Sequence, residues 1–270
     1  ENAAPFGWKD KIGYALGVFG CNLSFVMQSS FFMVYYVTCL GINPAHFGLL
    51  ILLTKIWDGI NDPLIGSLTD KIRPKEGKDK FKPWLFYGSI LLSIVTMFMF
   101  MPIHNASYGV RMIVCVLSYV MWDMCYTIVN VPYGSMASVM TTDDLERADL
   151  SKYRSLGSLL GNVPAGVILP LFLYDSVTGD PLSNRFLWTA VIIGIFSWVC
   201  LQGTIRLCTE RVVHVPEAGD DKQEKPHFFR TFINCMQSRP MIGLIIASVA
   251  LLMFMQSNNS TNQYVFMLYY

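Results

Sequence analysis

The sequence contains little charge. Only 14% of its 270 residues are Asp, Glu, Lys or Arg, against roughly 25% in globular proteins. Hydrophobic residues instead make up 53% of the chain and aromatic residues 14%, and the mean hydropathy is +0.42. This composition excludes a disordered chain, a nucleic-acid-binding domain and an ordinary soluble enzyme. The class that remains is a membrane protein with several spans.

Residues that commonly carry enzyme or metal chemistry are also scarce. The chain has four histidines, and none lies deep inside an apolar run, which argues against a histidine proton relay. The seven cysteines are an odd number without C-x-x-C spacing, so neither a disulfide framework nor a zinc site is expected. No nucleophile–base set falls at membrane depth. We therefore expect no enzyme activity and no bound cofactor.

Long apolar runs are what the sequence has in abundance. A span needs about 20 apolar residues to cross about 30 Å of hydrocarbon. Six runs meet this length: residues 12–40, 47–68, 83–102, 110–140, 156–173 and 186–207. The runs are continuously apolar instead of alternating, and in lipid the backbone of a span must satisfy its own hydrogen bonds. The sequence therefore predicts an all-α membrane protein.

The basic residues are distributed unevenly between the two sets of loops. If the N-terminus is cytoplasmic, 17 of the 20 Lys and Arg residues lie on the cytoplasmic side. The opposite side has only Arg111 and Arg185, and Lys55 lies inside the second run. Such asymmetry is the positive-inside signal. It predicts a multi-pass protein of the cell membrane, embedded in the lipid bilayer with its N-terminus in the cytoplasm.

The apolar runs suggest a division into three parts. Residues 1–207 are expected to form a domain of six transmembrane helices, and residues 208–240 a polar cytoplasmic linker. Residues 241–270 are expected to form a seventh transmembrane helix, the start of an incomplete C-terminal domain. On this interpretation the chain is part of a twelve-helix transporter.

Three acidic residues lie deep inside the predicted spans: Asp58 and Asp62 on helix 2 and Asp123 on helix 4. Each costs about 2.5–3.5 kcal/mol at the centre of a bilayer, so each needs a neutralising partner. Asp58 and Asp62 are four residues apart and share one helix face, with Asn61 beside them. On helix 4, Asp123, Thr127 and Asn130 fall at positions i, i+4 and i+7 and form one stripe, and Asp123 lies at a depth similar to that of Asp58.

Facing carboxylate, amide and hydroxyl oxygens form a suitable cage for a small hard cation. Asp58 and Asp62 are the expected metal ligands of such a cage. Two alternatives stay open. The carboxylates could share a proton, or they could form a structural ion pair with Lys55, which lies one turn earlier.

Two asparagines form a second group of polar residues. Asn22 on helix 1 and Asn130 on helix 4 occupy equivalent helices if the six spans are two three-helix repeats, and such repeats bind substrate at their interface. Two amides there could bind a polyhydroxylated ligand. The alternative is that they form hydrogen bonds between helices. Nearby aromatic residues such as Tyr126 could stack on a sugar face or pack in the core.

Several sequence strings resemble a known family. They are KIWDGINDPLIG at residues 55–66, KFKPW at 80–84, and the segment 122–135, which contains Tyr126, Thr127 and Pro132. All three resemble the glycoside–pentoside–hexuronide:cation symporters of the major facilitator superfamily. The resemblance covers helices 1 to 6. It implies a major facilitator fold that transports a sugar or related solute together with Na⁺, Li⁺ or H⁺ by alternating access.

The resemblance also assigns residues to sites. The cation site of the family falls on Asp58, Asn61, Asp62 and Thr127, and Asp123 replaces a residue that is usually small, which would alter the ion preference. The two sugar-binding carboxylates of the family fall on Asn22 and Asn130, its helix 4 tryptophan on Gly134 and its helix 5 arginine on Arg154. Amides in place of acids would admit anionic sugars, which carboxylates repel.

The expected partners are therefore a small-molecule solute, a sugar or sugar acid, and a monovalent cation, with no nucleic acid. The rival functions are a symporter of lysolipids or other amphiphiles, an uncoupled solute facilitator, a channel and a receptor-like binding protein.

Overall fold

The computed structural model describes residues 5–71, 79–175 and 178–211, and residues 241–243, 246–247, 250–251 and 253–254. The chain divides into two compact units, Glu1–Val213 and His214–Tyr270. In the second unit the described residues are helical. Most of the predicted linker, residues 212–240, and the end of the predicted seventh helix lie outside the described residues, so the three-part division stays a prediction.

The first unit is a bundle of helices. Their bounds are α1 Trp8–Met33, α2 Pro44–Lys71, α3 Lys82–Met99, α4 Tyr108–Met140, α5 Asp144–Leu173 and α6 Ser183–Leu207. A π-helical segment, Val34–Cys39, continues α1. The predicted all-α class is confirmed.

Five of these helices are long and apolar enough to cross a membrane: α1 with its π-helical continuation, α3, α4, α5 and α6. The helix α2 has 28 residues, which exceeds the length of a span, but Lys55, Asp58 and Asp62 interrupt its apolar sequence. The chain is therefore a multi-pass membrane protein in which one helix carries charge at mid-length.

The fifth helix begins earlier than the apolar run. Its predicted span starts at residue 156, whereas α5 starts at Asp144. The Asp143 side chain caps the helix by accepting a hydrogen bond from Leu145 N at 2.8 Å, as oxygen-bearing side chains commonly do at helix starts. The apolar run marks only the part of α5 expected in lipid. Arg154, which precedes the apolar run that starts at residue 156, therefore lies within the helix.

The helices pack in a reciprocal pattern. The main neighbours of α1 are α5 and α6, and the main neighbours of α4 are α2 and α3. Each first helix of a three-helix set therefore packs on the second and third helices of the other set. This arrangement is the one expected for two three-helix repeats, and it places α1 and α4 at equivalent positions.

Glycines allow α1 to approach its neighbours closely. A Cβ on Gly157 of α5 would lie 2.7 Å from Val18 Cγ1 of α1 and would overlap the Ala15 carbonyl oxygen. A Cβ on Gly20 of α1 would lie 2.9 Å from the Ser197 carbonyl oxygen of α6. Small residues at such contacts are typical of packed membrane helices.

Glu210 and Arg211, which follow α6, connect helices at the predicted cytoplasmic end of the bundle. The Arg211 guanidinium lies 2.7 Å from the carboxylate of Asp10 in α1, whose side chain is buried. The carboxylate of Glu210 accepts backbone hydrogen bonds from residues 80–82 at 2.6, 2.9 and 3.1 Å, where α3 begins. These contacts connect the end of α6 to the starts of α1 and α3.

Candidate functional site

The three carboxylates predicted at mid-membrane come together where α2 packs on α4. Asp58, Asp62 and Lys55 are the electrostatic neighbours of Asp123. Asp123 itself is only 9% exposed. Asp58 is partly buried, whereas Asp62 is exposed. Like charges in one place repel each other, and the buried ones also lose hydration, so the cluster favours a compensating positive charge.

Lys55 compensates one of the three carboxylates. Its ammonium lies 2.8 Å from Asp58 Oδ2, so the structural ion pair considered from the sequence is present. It leaves the cluster with more negative than positive charge. The other oxygen, Asp58 Oδ1, is buried and has no hydrogen-bond partner among the described residues.

Thr127 connects the two helices. Its hydroxyl donates a hydrogen bond to Asp62 Oδ1 at 3.0 Å, from α4 to α2. The amide nitrogen of Asn61 and Asp123 Oδ2 are buried without a hydrogen-bond partner in the described part of the chain. Buried polar atoms without partners are rare and require an explanation, and here they occur beside Asp58 Oδ1, which also has none.

The geometry places a limit on metal binding. Within the described residues, no three His, Cys, Asp or Glu side chains lie close enough to hold one metal ion. A cation at this cluster would therefore need hydroxyl or amide oxygens in addition to carboxylates. Thr127 and Asn61 offer such oxygens beside Asp58 and Asp62, which suits a hard monovalent cation better than a transition metal.

A cavity of about 510 Å³ lies between α1, α4 and α5. Its size falls in the range of about 300–1,000 Å³ that is typical of small-molecule sites. Four of the five residues predicted to bind substrate line it: Asn22, Tyr126, Asn130 and Arg154. The fifth, Gly134, does not line it, although a Cβ there would meet no described atom within 4 Å.

The two asparagines differ in their contacts. The amide nitrogen of Asn22 donates to Ser158 Oγ at 2.8 Å, so Asn22 does form the hydrogen bond between helices that was considered as an alternative. The side chain of Asn130 makes no hydrogen bond to any described residue. Its amide is therefore available to donate and to accept within the cavity.

Arg154 brings positive charge to the cavity without a matching acid. No described carboxylate lies within 4.0 Å of its guanidinium, which lies 5.7 Å from the centre of the Tyr133 ring and also contacts the Tyr14 side chain. Tyr133 in turn stacks on Tyr14 at 4.7 Å and donates a hydrogen bond to the Tyr14 carbonyl at 2.6 Å. Because a guanidinium has five N–H donors, Arg154 retains donors for an anion beside its contacts with Tyr14 and Tyr133.

Tyr126 is held by a second aromatic stack. Its ring lies 5.0 Å from that of Trp122. The indole nitrogen of Trp122 donates to Ser24 Oγ at 2.9 Å. Tyr126 is therefore fixed at the wall of the cavity, where a flat ring suits contact with a sugar face.

Sequence reasoning missed the polar residues that α5 adds to the cavity, which are Ser155, Ser158 and Asn162. Arg154, Ser158 and Asn162 are spaced by four residues, so they share one helix face. This spacing could have been noticed in the sequence. It gains meaning only when α5 is known to face Asn22.

The helix α4 separates the cavity from the carboxylate cluster. Tyr126 and Asn130 line the cavity, whereas Asp123 and Thr127 face α2. Tyr126 and Thr127 are consecutive residues. The two predicted sites therefore share α4. Tyr126 and Thr127 project about 100° apart, whereas Asn130, seven residues after Asp123, projects within about 20° of the Asp123 direction.

Comparison with known proteins identifies the family. The model of the family described as "MFS/sugar transport protein" matches residues 13–270, which is nearly the whole chain. The chain belongs to this family. The resemblance drawn from the helix 2 string is thereby confirmed, and so is the expectation of a transporter instead of an enzyme.

Curated relatives of the chain are also named as symporters or carriers. The chain is 28% identical to the "Uncharacterized symporter YjmB" of Bacillus subtilis over 257 residues, covering 92% of the chain and 52% of the relative. It is 28% identical to the "Glucuronide carrier protein homolog" of Escherichia coli over 248 residues, covering 91% and 51%. The "Putative glycoside/cation symporter YagG" of Escherichia coli is 36% identical over 166 residues, covering 60% and 35%.

The chain spans about half the length of the first two relatives. The names of these three relatives refer to symport, to a glucuronide and to a glycoside with a cation. Solute, coupling ion and site residues of the present chain are therefore matters of proposal.

Proposed function

We propose that the protein is a cation-coupled symporter of a sugar-derived solute, preferentially an anionic one, that works by alternating access. Na⁺, Li⁺ or H⁺ is the coupling ion. The observation that carries the proposal is the arrangement of α4, which lines a polar cavity with Tyr126 and contributes the next residue, Thr127, to the carboxylate cluster.

The preference for an anion is supported by the charge of the cavity. Arg154 is the charged residue among those that line it, and the two predicted sugar-binding positions carry the neutral amides of Asn22 and Asn130. A guanidinium without a carboxylate partner binds carboxylate or sulfonate oxygens well. The name of the glucuronide carrier homolog agrees with such a solute.

Coupling follows from the shared helix. A cation bound by Asp58, Asn61, Asp62 and Thr127, with Asp123 nearby, would neutralise the carboxylates and fix α2 against α4. The cavity wall formed by α4 would then be ordered for the solute. By linkage, each ligand raises the affinity of the protein for the other by the same factor.

The polar lining favours this proposal over transport of lysolipids. Amide, hydroxyl and guanidinium groups line the cavity on α1, α4 and α5, whereas the pocket for an acyl chain would be mostly apolar. We also propose that the protein lies in the cell membrane with a cytoplasmic N-terminus, supported by the 17 basic residues on that side.

The first test is uptake by the full-length protein in proteoliposomes. We expect a radiolabelled glucuronide to accumulate when an inward Na⁺, Li⁺ or H⁺ gradient is imposed, and a lysolipid not to accumulate. Uptake that equilibrates without responding to any of the three gradients would indicate an uncoupled facilitator and contradict the proposal.

The second test is the substitution Asp62→Asn, which removes the charge that Thr127 contacts. We expect the gradient-driven component of uptake to be lost while solute exchange between equal concentrations persists, because the cavity residues are unchanged. An unaltered ion dependence would refute the assignment of Asp62 to the cation site.

A further inference from the structure

Ser158 of α5 is the meeting point of two amides. Its hydroxyl oxygen accepts a hydrogen bond from the Asn22 amide nitrogen at 2.8 Å and another from the Asn162 amide nitrogen at 3.3 Å. All three residues line the cavity. A hydroxyl oxygen has two lone pairs, so these two bonds use its full capacity as an acceptor.

The hydroxyl hydrogen of Ser158 is not used by the helix. Two neighbouring serines of α5 donate to the carbonyl four residues earlier, Ser151 to Arg147 at 3.1 Å and Ser155 to Ser151 at 3.0 Å. Ser158 makes no such bond to any described residue. Its hydrogen therefore remains available to a molecule in the cavity.

The contacts also fix the orientation of the Asn22 amide. The Asn22 nitrogen lies 3.4 Å from the Ser158 carbonyl oxygen as well as 2.8 Å from its hydroxyl oxygen. A carbonyl oxygen can only accept, so the group that faces it must be the NH₂ of the amide. The amide oxygen of Asn22 then points away from α5 and receives no hydrogen bond from the described residues.

We propose that Ser158 is a positioning residue that determines specificity, a role that rests on the proposed function. It holds Asn22 so that the amide oxygen of Asn22 and the hydroxyl hydrogen of Ser158 are both offered to the cavity. One solute hydroxyl satisfies both, because it can donate to Asn22 and accept from Ser158. The pair recognises a sugar hydroxyl without negative charge.

The distance between Arg154 and Ser158 along α5 indicates which groups the solute carries and how far apart they lie. Ser158 lies one turn from Arg154, about 6 Å along the helix axis at 1.5 Å per residue. A solute with an anionic group at Arg154 would therefore place a hydroxyl at Ser158 about one sugar ring away. The chemical class is a sugar acid or sulfonated sugar with a free hydroxyl on the far side of the ring.

The experiment uses the full-length protein in proteoliposomes and measures the affinity for a glucuronide and for each of its monodeoxy analogues. We expect Ser158→Ala to weaken binding of the parent glucuronide about tenfold, in line with the loss of a hydrogen bond and the disordering of Asn22. The affinity for one deoxy analogue should change less than twofold, since that analogue lacks the hydroxyl that the pair recognises.

Two further variants separate positioning from folding. Ser158→Thr keeps the hydroxyl and should restore discrimination between the parent and that analogue. Ser151→Ala removes an exposed serine hydroxyl two turns earlier on α5, outside the cavity, and should leave every affinity unchanged. Melting temperatures of all variants are measured alongside.

The outcomes are distinct. Equal weakening of parent and analogues by Ser158→Ala would indicate a merely structural role and overturn the inference, and so would unchanged binding of the parent. If the wild-type protein binds only neutral glycosides, the proposed preference for anions is wrong. The role of Ser158 is then tested with the neutral glycoside and each of its monodeoxy analogues. A wild-type protein that binds no glycoside overturns both proposals.

Discussion

Helices α1 and α2 contact their neighbours in different ways. The α1 glycines are packed: a Cβ on Gly13 or Gly20 would lie within 3 Å of atoms in or just after α6. The α2 glycines Gly48 and Gly66 have no described atom within 4 Å of a Cβ position. One helix is in close backbone contact with its surroundings, and the other is held by side chains.

Two polar contacts between α2 and α4 are widely spaced. His46 Nδ1 lies 2.7 Å from the Tyr108 hydroxyl at the outer end, and Thr127 donates to Asp62 in the middle. Close packing resists deformation because many atoms must move together, whereas a few hydrogen bonds can exchange. From this difference we expect α1, α5 and α6 to form the more rigid part of the bundle and α2 to respond more readily to a change in charge.

Among the contacts of α1, α5 and α6, the ion pair between Arg211 and Asp10 should contribute most to the stability of the protein. Replacing Arg211 by Gln leaves Asp10 as a buried carboxylate without its cation, and breaking such a pair costs about 3–5 kcal/mol. We expect a correspondingly large fall in the melting temperature of the protein in detergent.

The matched control for this prediction is Lys152→Gln, which breaks an ion pair with Asp149 that is mostly exposed. Exposed pairs contribute about 0–1 kcal/mol, so that variant should melt close to the wild type. If both variants melt alike, the contact between Arg211 and Asp10 does not stabilise the bundle.

Adding a methyl group at the contact between α1 and α5 should give the next largest fall in melting temperature. Gly157→Ala places a Cβ against the Ala15 backbone, and overpacking of this kind costs about 1–3 kcal/mol. Gly166→Ala on the same helix meets no described atom within 4 Å and should be neutral or slightly stabilising. The comparison is measured as the difference in melting temperature, and a tolerated Gly157→Ala would show that the contact is not close.

A substitution at the contact between α2 and α4 should lower the stability of the protein least and should clearly weaken the binding of the coupling ion. Thr127→Val removes the hydrogen bond to Asp62. Because Asp62 is exposed, we expect the loss of stability to be no more than about 0.5–1.5 kcal/mol, the usual net contribution of a hydrogen bond. On the proposed cation site, we expect the half-saturating concentration of the coupling ion to rise at least tenfold while the melting temperature without ion changes little.

Thr127→Ser is the control for that substitution because it keeps the hydroxyl. It should retain the ion affinity of the wild type. If the Thr127→Val protein melts at a lower temperature than the Gly157→Ala protein, the contact between α2 and α4 stabilises the bundle more than the contact between α1 and α5. That result would contradict the expected difference between the two helices.

Part of the site follows from the sequence by geometry. The spacing of Asp58, Asp62, Asp123 and Thr127, together with their depth in the apolar runs, was sufficient to predict that they approach each other. Asn22 and Asn130 followed from the repeat argument, and Arg154 from the resemblance to a family. The structure brings the first group to the interface of α2 and α4 and the second to the cavity.

Other features could not be derived in this way. Hydropathy reports which residues favour lipid, so it missed the polar first turns of α5 and with them the helical position of Arg154. The role of Ser158 depends on which residue faces it from α1, and no local pattern carries that information. The π-helical turn at Val34–Cys39 likewise depends on tertiary contacts, such as the hydrogen bond from Tyr36 to the Met99 carbonyl at 2.9 Å.

The adjacency of Tyr126 and Thr127 has a kinematic consequence. Consecutive residues of an α-helix project about 100° apart, so a roll of α4 about its long axis swings both side chains through the same angle. A roll that withdraws Thr127 from Asp62 also tilts Tyr126 against the indole ring of Trp122. A sliding motion along the axis would instead carry both by equal distances without tilting either. A roll of α4 would therefore change the carboxylate cluster and the cavity wall together, whereas a sliding motion would leave the direction of both side chains unchanged.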